Sequence, residues 1–291
     1  MARSRDAADA REDLLELDHI TVRFRGRGRG ASFTAVDDVS LALHPGEVVG
    51  LVGESGSGKS TIGNVMLGLV KPDEGTITYG GRDITNVGLR QRHSAGINIQ
   101  AIFQDPYNSL NPALRIGEIL TEPVRLRTGA SRRDASELIR GLLERVDLPA
   151  DAASRYPSSF SGGQRQRIAI ARALSVQPRV LVCDEPTSAL DVSTQSRIIG
   201  LLSELRDELG VALLFITHDL ALTRSFANRV IVLERGRVVE EGTARQVCDA
   251  PTNPYTQLLI ASVPVPDPQQ QRERRRQRAA LASQVAQART P

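Results

Sequence analysis

The sequence predicts an α/β fold in which helices cover a mainly parallel sheet. Short, continuously apolar segments at 180–183 and 211–216 are typical of strands buried on both faces. A segment with helical spacing of apolar residues, 193–209, lies between them. Alternation of strands and helices places such strands in one sheet with helices packed on its faces.

Composition narrows the class of protein. The chain has 291 residues, 40% of them apolar and 24% charged, which suits a globular protein of one large or two small domains. No apolar run is long enough to cross a membrane.

The net charge is +3, but residues 272–278 alone carry five arginines and one glutamate, so the remainder is close to neutral. We therefore expect no nucleic-acid partner. The cysteines, Cys183 and Cys248, have no metal-ligand spacing and predict free thiols.

The first third of the chain contains most of the predicted strands. In chain order they are 15–22, 39–43, 48–52, 76–79 and 96–103, and a helix is predicted over 59–70. Residues 44–46, His-Pro-Gly, separate two strands as a turn. Residues 23–30 are rich in arginine and glycine and predict a mobile loop.

A block of helices follows, in which apolar residues repeat only at helical spacing. Helices are predicted over 116–126, 131–146 and 162–174. Ser131 and Asp134 match a capping box at the start of the second helix. Because strands resume near residue 180, the block between about 106 and 174 is interpreted as an insertion into the α/β fold. Strands at 230–233 and 238–240 predict a terminal hairpin. Residues 269–291 predict a basic tail that is disordered or loosely helical.

A glycine-rich segment between an apolar strand and a helix predicts a phosphate-binding loop. Residues 53–60 fit the pattern G-x-x-x-x-G-K-[ST] in full. Glycines let backbone N–H groups turn towards phosphate oxygens, and the helix N-terminus adds partial positive charge. Lys59 supplies a cation for the β- and γ-phosphates, and Ser60 an oxygen for Mg²⁺. The candidate nucleotide-binding residues here are Gly53, Glu54, Ser55, Gly56, Ser57, Gly58, Lys59, Ser60 and Thr61.

Two acidic residues, Asp184 and Glu185, follow the apolar strand at 180–183. A carboxylate at the carboxyl end of a buried strand can reach the Mg²⁺ that bridges nucleotide phosphates. A second carboxylate beside it can orient and polarise the attacking water. The pair therefore predicts a hydrolytic site for a nucleotide and Mg²⁺.

Residues 160–164, Phe-Ser-Gly-Gly-Gln, lie between these two motifs. Together with Gln104, the segment 188–191 and His218, this order resembles the ATP-binding-cassette ATPases, with their LSGGQ signature, Q-loop, D-loop and switch histidine. Phe160 stands where the family usually has leucine, and the other four signature positions match. The resemblance covers about residues 14–268.

The resemblance implies a P-loop NTPase fold with a RecA-like core, an N-terminal antiparallel β-subdomain and an inserted helical signature subdomain. It implies a cassette over 12–268. Its parts are a core at about 12–106 and 175–245, a helical subdomain at about 107–174, and a C-terminal extension at 246–268 before the 269–291 tail.

The resemblance also implies roles for individual residues. Catalysis would involve Glu185 as general base, His218 at the γ-phosphate, Lys59 and Gln104. Metal contacts would come from Ser60, Gln104 and Asp184. Two cassettes would pair head to tail, so that each ATP lies between one phosphate loop and the partner's signature. The signature residues are Ser161, Gly162, Gly163 and Gln164. Adenine would stack on Phe24, with Phe33 as the alternative.

Residues 103–112 and 253–259 resemble the ATPase subunits of oligopeptide and dipeptide importers, and nickel importers share these features. The implied partners are a second cassette, identical or paralogous, two membrane permeases and, indirectly, an extracytoplasmic solute-binding protein. The implied location is the cytoplasmic face of the cell membrane. The alternatives are import of nickel or another small solute, and a cassette ATPase in a cytosolic assembly.

Overall fold

The computed structural model describes residues 14–25, 32–105, 109–188 and 190–262. Within these residues, ten strands form two sheets. The strands are β1 (Leu15–Arg25), β2 (Ser32–Leu43), β3 (Val48–Val52), β4 (Glu74–Tyr79), β5 (Arg82–Asp83), β6 (Ile99–Ile102), β7 (Val180–Asp184), β8 (Ala212–Thr217), β9 (Arg229–Glu234) and β10 (Arg237–Thr243). The α/β prediction is confirmed.

The larger sheet has the order β10-β9-β3-β8-β7-β6. Five of its strands are parallel: β9, β3, β8, β7 and β6. The sixth, β10, is an edge strand that pairs antiparallel with β9 and forms the predicted hairpin with it. All residues of β3 and β8 are buried, as expected for central strands covered on both faces. The carboxyl ends of β3, β6, β7 and β8 therefore meet at one edge of the sheet.

The smaller sheet is antiparallel and has the order β2-β1-β4-β5. The prediction of a loop from residue 23 is wrong at its start, because residues 23–25 continue β1 opposite residues 32–34. Cross-strand pairing overrides the loop-like composition, and Arg23 also forms a 2.6 Å ion pair with Glu74. Strand β2 is correspondingly longer than predicted. The remainder of the predicted loop, 26–30, lies outside the described residues.

The described helices are α1 (Lys59–Leu67), α2 (Leu89–Ser94), α3 (Ile116–Thr128), α4 (Arg132–Arg145), α5 (Gly162–Leu174), α6 (Val192–Leu209), α7 (Leu220–Phe226), α8 (Ala244–Asp249) and α9 (Pro254–Ala261). Helix α1 ends three residues earlier than predicted because Gly68 adopts a left-handed backbone (φ 76°) and caps it. Ser131 caps α4 as predicted, but its hydroxyl donates to the Asp134 carboxylate, so the pair differs from a reciprocal capping box.

Helices α3, α4 and α5 lie in chain order between β6 and β7 and share one apolar core with the sheet. Residues of that core on the sheet include Ile102, Leu181 and Phe215, and on α5 they include Ile168 and Ile170. The helical block is therefore packed directly on the parallel sheet through α5.

Both cysteines are free, with Cys183 buried in β7. In the part of the chain that the structure describes, no helix is long and apolar enough to cross a membrane.

Candidate functional site

The glycine-rich loop connects the carboxyl end of β3 to the start of α1. Two of its glycines, Gly53 and Gly58, are required by space as well as by backbone angle. A Cβ atom on Gly53 (φ 155°) would lie 2.2 Å from the carbonyl oxygen of Leu233. One on Gly58 (φ 107°) would lie 2.3 Å from the carbonyl oxygen of Ala35. The loop is thus pressed against β9 and β2, which fixes its curvature at the N-terminus of α1.

Lys59 opens α1, and its side chain is buried. Its ammonium donates hydrogen bonds to the carbonyl oxygens of Gly53 and Glu54, each at 2.7 Å. Burial lowers the pKa of Lys59, while the nearby carboxylates of Glu185 and Asp184 oppose that shift. The lysine is therefore held by the loop at the end of the helix whose N–H groups attract anions.

Asp184 ends β7, and its carboxylate accepts a 3.2 Å hydrogen bond from the hydroxyl of Ser60 on α1. Burial raises the pKa of Asp184, and the Ser60 contact opposes this shift. Two of the three residues expected to contact the metal, Ser60 and Asp184, therefore place adjacent oxygen atoms at the carboxyl edge of the sheet.

Glu185 follows β7 with a left-handed backbone (φ 47°), which is uncommon for a residue that is not glycine. Its N–H donates to the carbonyl oxygen of Ile216 on β8 at 3.0 Å, which holds it in place. Its Oε1 atom lies 3.3 Å from Nδ1 of His218. The carboxylate is mostly buried, with 21% of the side chain exposed, whereas His218 is 64% exposed. The predicted base and switch histidine are thus neighbours.

Gln104 follows β6 and is exposed. Because β6 pairs in parallel with β7, with Ile102 opposite Cys183, Gln104 lies at the same edge of the sheet as Asp184. Residues 106–108, part of the segment that resembles peptide importers, lie outside the described residues.

The signature residues form the start of α5. Ser161 caps the helix by accepting from the N–H of Gln164, and the Gln164 side chain accepts from the N–H of Ser161 at 3.0 Å. A Cβ atom on Gly163 would lie 2.5 Å from Cγ2 of Thr194 on α6, so glycine is required there. Phe160 is buried, which accounts for an apolar residue at that position. Among the described residues, no hydrogen bond or ion pair joins residues 160–164 to the phosphate loop.

The two candidates for adenine stacking lie opposite each other on neighbouring strands. Phe24 on β1 pairs with Phe33 on β2. Directly opposed residues point to the same face of an antiparallel pair. Phe24 is 43% exposed and Phe33 is 61% exposed, so both present an aromatic surface.

Sequence reasoning missed one residue that contacts the phosphate loop. The hydroxyl of Tyr255, on α9, accepts a hydrogen bond from the N–H of Glu54 at 3.1 Å. The segment 253–259 resembles peptide importers, but that resemblance assigns no role to Tyr255. The only structural signal in this segment is Asn253 followed by Pro254, a cap and a first-turn proline that are typical of the start of a helix. They indicate a helix but not its contact with the loop.

Comparison with known families gives two matches. A family model described as ABC transporter matches residues 36–188, and one described as the oligopeptide/dipeptide transporter C-terminal region matches residues 239–288. The second match includes α8, α9 and most of the segment 269–291.

Curated relatives are similar over most of the chain. The oligopeptide transport ATP-binding protein OppF of Salmonella typhimurium is 45% identical over 265 residues, which cover 88% of this chain and 79% of the relative. AppF of Bacillus subtilis is 45% identical over 260 residues, covering 87% and 79%. A putative peptide import ATP-binding protein of Brucella ovis is 45% identical over 236 residues, covering 81% and 74%.

Solved structures share the fold. The dimeric structure of MJ0796, a bacterial ABC transporter cassette, is 32% identical with a TM-score of 0.72, and covers 79% of this chain and 99% of that one. A dimeric structure of the MJ0796 cassette in a post-hydrolysis state, bound to ADP and Pi, has a TM-score of 0.69 at 32% identity, with the same shares covered.

Proposed function

Because this chain belongs to the ATP-binding subunits of ABC transporters and is an ATPase, we propose that it powers peptide import through partner permeases. The observation that carries the proposal is the convergence of Lys59, the Ser60–Asp184 pair and the Glu185–His218 pair at one edge of the parallel sheet. That arrangement combines a phosphate cradle, a pair of metal-binding oxygens and a base.

The phosphate loop and Lys59 bind the β- and γ-phosphates of ATP. The first turn of a helix offers N–H groups without partners inside the helix, and these attract phosphate oxygens. Lys59 is already oriented by the carbonyl oxygens of Gly53 and Glu54, which limits its freedom before nucleotide binds. The adenine ring stacks on Phe24, which is exposed on β1.

The residues at the carboxyl edge fit Mg²⁺. This ion prefers oxygen ligands and is usually held by one or two carboxylates together with substrate phosphates. The Ser60 hydroxyl and the Asp184 carboxylate are 3.2 Å apart, and a cation beside Asp184 would offset the cost of burying its charge. Gln104, at the same edge, is the third proposed contact. Bound Mg²⁺ would neutralise phosphate charge during hydrolysis.

Glu185 is the general base. Its backbone is fixed by Ile216, and its carboxylate is mostly buried beside His218. A carboxylate held in this way can accept a proton from the attacking water. His218, at the end of the neighbouring strand β8, contacts the γ-phosphate. Glu185 therefore acts on the attacking water and His218 on the phosphate group that the water attacks.

The signature of this chain completes the nucleotide site of a second cassette. In this chain, Ser161 and the first turn of α5 form a capped helix N-terminus that has no hydrogen bond to the phosphate loop among the described residues. A head-to-tail pair, with either an identical or a paralogous cassette, would bring Ser161, Gly162, Gly163 and Gln164 to the partner's γ-phosphate, where the helix N-terminus favours negative charge.

Peptide import is supported by the relatives, whose names specify oligopeptide transport or peptide import, and by the match to the oligopeptide/dipeptide transporter C-terminal region. The assembly would contain two permeases in the cell membrane, two cassettes at its cytoplasmic face and an extracytoplasmic binding protein. The segment after Gln104 would contact the permeases. A nucleic acid is not among the proposed partners.

Purification of the complex tests the proposal. Affinity purification of the full chain from detergent-solubilised membranes, followed by mass spectrometry, should recover two multi-spanning proteins and a second cassette. In proteoliposomes, a binding protein loaded with peptide should raise the ATPase rate. The same complex with Glu185→Gln should assemble but show no stimulation.

Recovery of cytosolic proteins alone would contradict the transport assignment. Stimulation by a nickel-loaded binding protein, and none by a peptide-loaded one, would contradict peptide as the substrate while leaving the ATPase assignment intact.

A further inference from the structure

We propose that Tyr255 is a positioning residue for the phosphate loop, through which the C-terminal helix α9 controls nucleotide affinity. This inference rests on the proposed function only in taking the loop as the nucleotide site. It concerns a contact between two parts of the chain that are 201 positions apart, the loop and α9.

Together with Lys59, Tyr255 restrains both backbone polar groups of Glu54. The N–H of Glu54 donates to the Tyr255 hydroxyl at 3.1 Å, and the carbonyl oxygen of Glu54 accepts from the Lys59 ammonium at 2.7 Å. The orientation of Glu54 in the loop is therefore set jointly by α9 and by the lysine that contacts phosphate in the proposed site.

Tyr255 is itself held firmly. Its side chain is buried in a small apolar cluster with Val52, the last residue of β3, and with Leu220 and Val247. A tyrosine phenol is protonated at neutral pH, and burial raises its pKa further. The N–H of Tyr255 donates to the side-chain oxygen of Asn253 at 2.8 Å. These contacts leave the phenol oxygen little freedom to follow a displaced loop.

The entrance to α9 is anchored in turn to β10. Glu240 accepts hydrogen bonds from the N–H groups of Thr252 at 2.7 Å and Asn253 at 3.2 Å. The Asn253 side chain donates to the carbonyl oxygen of Val239 at 3.2 Å. A continuous set of contacts thus runs from β10 through Asn253 and Tyr255 to the loop.

Two consequences follow for nucleotide binding. Without the phenol oxygen, the Glu54 N–H loses its partner in a partly buried setting, and the loop relaxes away from the curvature that suits phosphate. Coupling between two sites is also reciprocal, so bound nucleotide must stabilise the docking of α9 by the same factor.

The test is Tyr255→Phe in the full chain, which removes one oxygen atom and keeps the ring in the apolar cluster. The matched control is Tyr79→Phe, because the Tyr79 hydroxyl also accepts from a backbone N–H, that of Asn98 at 3.4 Å. Tyr79 lies on β4 of the smaller sheet, whereas the phosphate loop follows β3 of the larger sheet. The probe is MgADP, which binds the loop without being turned over.

We expect Tyr255→Phe to raise the Kd for MgADP about three- to tenfold, the effect of losing one hydrogen bond at a partly buried donor. Tyr79→Phe should leave that Kd unchanged even if it lowers the thermal midpoint. In wild type, MgADP should slow amide hydrogen exchange across residues 252–262, and this protection should be lost in Tyr255→Phe.

A wild-type Kd in Tyr255→Phe, with protection of α9 retained, would overturn the inference. If Tyr255→Phe does not fold, Asn253→Ala replaces it, since it removes the side chain that holds the start of α9 to Val239 and to the N–H of Tyr255. The phenol is kept but loses its fixed position, so the same rise in Kd is expected and the same result would overturn the inference. Lys59→Ala separates this inference from the function proposed above. If that variant binds MgADP as wild type does, the loop is not the nucleotide site and the functional proposal fails as well.

Discussion

The hydroxyl of Ser60 donates a 3.2 Å hydrogen bond to the carboxylate of Asp184, although the two residues are 124 positions apart. Ser60 belongs to the first turn of α1, and Asp184 is the last residue of β7. The contact joins the phosphate loop to the acidic motif, so that Glu185, the next residue in the chain, is set at a fixed place relative to the loop.

Replacement of Glu185 by glutamine should lower the rate of ATP hydrolysis about 10²–10⁴-fold, the usual effect of losing a general base. Size and shape are nearly kept, so ATP should still bind and hold two cassettes together. Phosphate release measures the first effect, and gel filtration with MgATP measures the second. The control is Glu137→Gln, at an exposed position on α4. Hydrolysis at the wild-type rate would place the base elsewhere.

Gly163→Ala should destabilise the chain by about 1–3 kcal/mol, because the new methyl group would overlap Cγ2 of Thr194 at 2.5 Å. The start of α5 must then move from α6, and the signature with it. Thr194→Ser removes that methyl group and keeps the hydroxyl that contacts Asp191, so it should rescue Gly163→Ala. Urea unfolding of both single variants and the double variant measures this coupling.

The matched control for that cycle is Gly200→Ala on α6, where an added Cβ meets nothing within 4 Å. This change should stabilise the chain by about 0.5–1 kcal/mol, because alanine favours a helix over glycine. If Gly163→Ala is also stabilising, or if Thr194→Ser gives no rescue, the proposed contact between the two helix starts is wrong.

Phe24→Ala should weaken ATP binding about tenfold, the scale of losing one aromatic partner for a base. Phe33→Ala should weaken it less, although Phe33 lies directly opposite on β2 and is more exposed. Equilibrium binding of ATP and of inorganic triphosphate separates base stacking from phosphate contacts, since neither change should alter triphosphate binding. A larger loss for Phe33→Ala would reverse the assignment.

His19 should stabilise the fold more in mild acid than in mild alkali. Its ring lies 2.6 Å from the carboxylate of Asp38, and that hydrogen bond raises the pKa of His19 above its ordinary value of 6.5. The contribution is therefore complete below 6.5 and is lost as the pH rises through the raised value. Asparagine tolerates the left-handed backbone of His19 (φ 52°), so His19→Asn removes the charge with little strain.

The measurement is the difference in thermal midpoint between wild type and His19→Asn from about pH 5.5 to 9, the range in which a histidine changes charge. The difference should shrink as the pH rises. In an Asp38→Asn background it should be smaller and depend less on pH, with the remaining dependence due to Asp18, whose carboxylate lies 3.7 Å from the ring. A difference that grows towards alkaline pH would contradict the sign derived from the pKa.

Sequence patterns predicted the buried parallel strands and the position of the glycine-rich loop between β3 and α1 well, for physical reasons that are local. Residues 180–183 are continuously apolar and could only be buried on both faces, and β7 lies there. The glycines of the phosphate loop are required by backbone angle and close packing at Gly53 and Gly58. Because burial, backbone angle and close packing each restrict the residue types allowed, these features can be recognised in the sequence.

Features that depend on contacts across the chain were not predicted. Residues 23–25 have the composition of a loop, but pairing with residues 32–34 makes them part of β1. Helix α9 is short, and nothing in its own sequence indicates that the Tyr255 hydroxyl reaches Glu54. The left-handed backbone of Glu185 likewise depends on a hydrogen bond to Ile216, a residue of another strand.

Helix α5 joins the signature to β7, the strand that carries Asp184 and leads into Glu185. It has 13 residues, which correspond to a rod about 20 Å long, and eight of them are buried. Bending a helix that is buried over this much of its length would break contacts in the close-packed core, so we expect it to move as one unit. In the proposed head-to-tail pair, a shift of Ser161 on binding the partner's nucleotide would therefore be transmitted through α5 to β7, the strand that leads into the proposed general base, Glu185. The two proposed ATP sites of such a pair would then be coupled through the packed core around α5.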